Sequence, residues 1–248
     1  MERSRHDIPS SVSLSSEEPP KQPWVASKRE GYKQAFVKTQ ELLESSREDR
    51  RRLGLENLAA LLDPSSTEHS VAPCVAEALL CGTGNHAERV RTAIGEYFHD
   101  FHMDRDTEGC LDDDENWETK RETSLYARGA QFGILHLLAL AMLENALAII
   151  LKSRTNGNGK PRLDIRSWFW RNVMDALMYN IEVASKRPLE AVLSTKCLNL
   201  IVTLEPEVQH CRVVEERLIP GLVYAHNFGA CRLLDLEREA ENLMESLR

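Results

Sequence analysis

Gln131 to Leu151 reads QFGILHLLALAMLENALAIIL, and the fold turns on how this stretch is read. By length and apolar content it matches a membrane span. It also carries His136, Glu144 and Asn145, and a carboxylate at a bilayer centre costs about 2.5–3.5 kcal/mol. A central helix surrounded by other helices in a water-soluble fold meets no such penalty. The stretch is therefore expected to be the core helix of a helical domain, with no membrane partner.

The rest of the chain is consistent with that. It has 248 residues, 42% of them hydrophobic and 28% charged, which suits one sizeable folded domain with a tail. The first 27 positions, which include SSVSLSSEEPPKQP, are rich in Ser, Pro and charge and are expected to be a disordered N-terminal tail, with Trp24 as an exposed docking element. Positions 28–248 are expected to form the helical domain. TQELLESSREDRRRLGLENLAALL, VAPCVAEALL and AERVRTAIGEYFHDF place apolar residues three and four apart, which is helix periodicity. An acidic loop is expected at 104–123 and an exposed Asn-Gly loop at 153–162. No alternating strands bounded by hairpin turns are found. The expected class is all-α.

Two signals recur along these helices. Prolines open apolar runs at Pro73, Pro188 and Pro220, where the missing N–H has no helical partner to lose. An Asn set among apolar residues returns in Leu55-Glu56-Asn57-Leu58-Ala59, Leu143-Glu144-Asn145-Ala146, Cys197-Leu198-Asn199-Leu200-Ile201 and Ala240-Glu241-Asn242-Leu243, with a weaker copy at Ala93 to Tyr97. Asn180, in LMYNIEV, falls out of phase with them. The spacing of roughly forty to fifty-five residues lies near that of helical solenoids.

In these segments, and in ERLIPGLV from Glu216 to Val223, the chain resembles the armadillo/HEAT-type family. The resemblance covers about residues 45 to 245 and implies an irregular armadillo-like α-solenoid of stacked helix pairs. It implies that Asn57, Asn199 and Asn242 bind a partner, because armadillo asparagines hydrogen-bond an extended peptide. A primary amide suits that role by offering both a donor and an acceptor. The tryptophans that precede such asparagines in readers of basic signals are replaced by Leu53, Thr195 and Arg238, which argues against an import receptor.

Catalytic and metal chemistry is less well supported. Asp104 to Glu115 (DRDTEGCLDDDE) follows the register of a calcium loop at several positions, but His99, Asp100 and Asn116 stand where apolar flanks are usual. His99 and His102, one helical turn apart, are short of further ligands unless Cys110 joins them. GxSxG, GxxxxGK[ST] and GxGxxG are absent. Arg47 and Arg50 to Arg52 alternate with Glu48 and Asp49 as on a solvated helix face. The net charge of -8 disfavours nucleic acid as a partner. Six cysteines without a CxxC pair, and no secretory leader after Met1, suggest reduced thiols in the cytoplasm or nucleus. The reading is a non-enzymatic protein–protein interaction module without a cofactor. The alternative is a metal- or calcium-responsive protein using residues 104–115.

Overall fold

A computed structural model of the chain describes residues 23–63, 72–82, 85–103, 118–155 and 162–247, with side chains described for 31, 34–63, 72–82, 85–98, 135–155 and 162–247. The described residues form nine α-helices and no strand: α1 (Pro23–Leu43), α2 (Glu48–Leu62), α3 (Ala72–Cys81), α4 (Asn85–Met103), α5 (Glu118–Thr155), α6 (Trp168–Glu182), α7 (Pro188–Leu204), α8 (Ile219–Arg232) and α9 (Leu234–Ser246). Among the described residues, α1 takes in Pro23 to Ser27 of the stretch expected as tail. Helix α5 takes in 118–123 and 153–155 from the two stretches expected as loops. Asp104 to Glu115, Cys110 and most of the tail lie outside the described residues, as do the side chains of Trp24, His99 and His102.

Local chemistry accounts for several helix ends. Glu48 and Asp49 occupy the first turn of α2, and Lys152 and Arg154 the last turn of α5, matching the helix dipole at both. Ser167 caps α6 by accepting from the Trp170 N–H. Pro188 is the first residue of α7, as its position at the head of an apolar run predicts. Pro220 likewise stands in the first turn of its helix, α8. The chain reaches it already coiled, through a π-helical turn at Val214–Leu218 in which the Ile219 N–H bonds to the Val214 carbonyl. Proline has no N–H to return to the preceding turn, so the widened register absorbs the lost bond.

Packing follows two lines of helix contact. One runs α1 to α4 to α6 to α8, the other α2 to α5 to α7 to α9. The pairs α1·α2, α4·α5, α6·α7 and α8·α9 join the lines, and α3 wedges among α1, α2, α4 and α5. Each helix has an apolar face that it cannot bury alone, and the core is continuous because neighbours share it. Leu55, Leu58 and Leu62 of α2, Leu140, Leu143 and Leu147 of α5, and Leu198 and Ile201 of α7 are all fully buried. Burial of each such side chain contributes about 1.5–3 kcal/mol.

Leu135–Thr155 is long and apolar enough to cross a membrane, yet half of its most apolar window is buried inside the protein. Two of its polar residues have partners there. His136 is bonded to Asn180, and Glu144 lies 3.8 Å from Lys196 of α7.

Candidate functional site

The four Asn-bearing segments lie on α2, α5, α7 and α9, the four helices of one contact line. In α2, α5 and α9 the pattern is the same: Leu55 and Leu58, Leu143 and Ala146, and Ala240 and Leu243 point into the core on either side of a Glu-Asn pair. The asparagines stand at the edge of the buried face. Asn57, Asn145 and Asn199 are half-buried and Asn242 is exposed. The weaker copy at 93–97 belongs to α4, on the other line.

Their amides are not equivalent. Asn199 Oδ1 accepts from Ser246 Oγ at 2.9 Å, which ties α7 to the end of α9. The side-chain amides of Asn57 and Asn242 make no hydrogen bond among the described residues, and Asn242 is engaged only through its backbone carbonyl, again with Ser246. Of the three asparagines expected to meet a partner, Asn57 and Asn242 hold their donors and acceptors ready, whereas Asn199 already spends its carbonyl within the fold. Beside them lie Glu56, paired with Arg52 at 2.8 Å, and Lys196 facing Glu144. The outermost helix, α9, carries Asp235, Glu237, Glu239, Glu241 and Glu245 against Arg238 alone.

The arginine run at the start of α2 divides. Arg47 pairs with Asp49 at 2.7 Å in solvent, as a solvated face requires. Arg51 instead lies over the ring of Tyr97 on α4, 5.6 Å from its centroid, a cation–π contact that the alternation of charges did not reveal.

A cleft of about 310 Å³ opens where the end of α3, the middle of α4 and the first turn of α6 meet. Arg91, Glu88, Asp164, Cys81 and Trp168 are among its walls. Trp168 reaches α4 because residue 95 is glycine. A Cβ there would stand 2.7 Å from the indole. The Arg91 guanidinium donates to the Leu79 carbonyl at 3.3 Å, and its burial lowers its pKa. Burial likewise pushes the Cys81 thiol up to about 11, so it is held as a neutral thiol rather than a nucleophilic thiolate. The cleft thus combines a cation, two carboxylates and flat aromatic surface without a nucleophile–base pair. Only the WFW triplet at 168–170 hinted at it in the sequence.

Among the described residues no three His, Cys, Asp or Glu side chains group as metal ligands. The calcium-loop reading and the His99–His102 pair fall outside the described side chains. The chain matches no family model, no curated protein and no solved structure at a significant level.

Proposed function

We propose that the chain is a non-enzymatic interaction module, a short irregular armadillo-like α-solenoid that binds a protein partner along the outer surface of α2, α5, α7 and α9. One observation carries the reading: segments picked out by a shared Asn pattern, far apart in sequence, lie on helices that follow one another in a single line of contacts. Stacked helix pairs of this sort leave an extended surface for an extended guest. Asn57 and Asn242 supply unspent amides to its backbone, and the carboxylates of α9 favour a partner that is not acidic. The protein works without a cofactor, in the cytoplasm or nucleus.

The test places a photo-crosslinking amino acid at Glu56 and, separately, at Glu241, next to the two free amides. The same partner polypeptide is expected from both positions, with its yield reduced when Asn57→Ala and Asn242→Ala are combined. Recovery of no protein from either position sinks the proposal.

A further inference from the structure

Helix α8 presents a face that its own neighbours leave uncovered. It packs on α9, α6 and the π-helical turn, and these contacts bury Gly221, Leu222, Ala225 and Gly229. The opposite arc carries Ile219, Pro220, Val223, Tyr224, Asn227 and Ala230, all exposed. Ile219 is 40% exposed, Val223 48% and Tyr224 45%. From Ile219 to Cys231 there is no Lys, Arg, Asp or Glu. An uncharged helix face with three large exposed side chains, Ile219, Val223 and Tyr224, marks a surface that something covers. In the line α1, α4, α6, α8 each earlier helix is covered by the next, and α8 is the last.

We infer that this face is covered by α8 of a second copy of the chain, in an antiparallel two-fold pair. The charge pattern selects that occupant. Each chain carries a net charge of -8, so two copies repel unless their contact is free of like charges, and this arc is. The ends of the stripe complement each other when one copy is reversed. Exposed Glu215 and Glu216 lead into α8, with Glu216 joined to Arg212 in a solvent-exposed ion pair at 2.5 Å, and exposed Arg232 closes it. An antiparallel pair centred on Tyr224 sets position 216 of one copy beside 232 of the other. A contact between equivalent patches is isologous and closes on itself, which gives a dimer and no filament. Ile219, Val223 and Asn227, four residues apart, form the ridge that such helix packing uses. A contact through one helix pair is small for a specific interface, so a reversible association is expected. The surface lies on the contact line opposite the Asn-bearing helices, and the inference stands without the partner-binding reading.

Sedimentation velocity on the full chain, from low micromolar to submillimolar concentration, tests it. A reversible monomer–dimer equilibrium is expected. Val223→Glu places two carboxylates near the axis and raises the dissociation constant about 100-fold or more, as loss of a central packed contact does. Arg232→Glu, an exposed change in the last turn of α8, raises it about tenfold and Glu216→Arg combined with it restores the dimer. Helix content and the unfolding midpoint, read alongside, show that each variant is folded. A monomer at every concentration, a dimer indifferent to Val223→Glu, or no rescue in the charge-swapped double variant overturns the inference. So does crosslinking from Val223→Cys that reaches residues 1–22 or another protein in place of the second copy.

Discussion

The side-chain amide of Asn180 on α6 lies 3.0 Å from Nε2 of His136 on α5, with both residues buried in the core. The same Nδ2 donates to Ser194 Oγ on α7 at 2.9 Å, and the ring of Phe98 on α4 meets the imidazole edge-on at 5.6 Å. One polar node thus touches four consecutive helices and joins the two lines of contact. Buried polar groups of this type hold a core to a single arrangement because every misplaced partner leaves an unsatisfied group in low dielectric.

Asn180→Ala is therefore expected to lower stability by about 1–3 kcal/mol, because it strands the His136 and Ser194 groups. Replacing all three together, as Asn180→Leu, His136→Leu and Ser194→Ala, is expected to recover part of that loss, since no orphan remains. Urea unfolding followed by circular dichroism measures both. If the triple variant is no more stable than Asn180→Ala, the node stabilises by packing alone.

Arg154 and Glu205 form a second, half-sequestered link. The guanidinium donates to the Leu204 carbonyl and to Glu205 Oε1, the latter at 2.7 Å, and Oε1 also accepts from the Leu163 N–H at 3.0 Å. The two side chains are 18% and 12% exposed, so water screens the pair poorly. Glu205→Ala is expected to cost about 2–3 kcal/mol, below the range for a fully buried pair whose other member is stranded. It should also speed amide exchange at Leu163, whose acceptor is removed. Unchanged exchange there contradicts the role given to Glu205.

The thiols sort by burial. Cys74, Cys211 and Cys231 are exposed, and Cys197 is buried with its pKa raised well above the ordinary range by desolvation. Cys81 is raised to about 11 from 9.0, so at pH 8 its alkylation should run about 100-fold slower than that of an exposed thiol. Its raised value favours the folded state below pH 9, and that contribution falls away as pH rises from about 9 through about 11. Peptide mapping after timed iodoacetamide treatment reads the order. Equal rates at Cys81 and Cys74 refute it.

Gly95→Leu is expected to expel Trp168 from its seat on α4 and to cost about 1–3 kcal/mol, the usual penalty of overpacking. Gly229→Ala, in the last turn of α8, is expected to be worse for its size. The added Cβ meets the backbone N of Glu237, and backbone yields less readily than a side chain. Thermal unfolding compares the two, and near-ultraviolet dichroism follows Trp168. A neutral Gly229→Ala denies the close approach of α9.

Periodicity along the sequence determined the helices, their rough order and the all-α class, because spacing of three and four dictates which side of a helix is apolar, whatever it packs against. It also picked out four Asn-bearing segments, since a repeated local pattern survives in a one-dimensional reading. Only the tertiary structure decided that those segments share one line of contacts, that Asn199 is tied to Ser246 while Asn57 and Asn242 are not, and that Asn180, which the spacing set aside, pairs with His136 44 positions away. The physical reason is that a hydrogen bond between distant residues depends on how whole helices come together, and no local rule encodes that. The uncovered arc of α8 was hidden for the same cause: an apolar helix reads alike whether its far side meets a neighbour or open water.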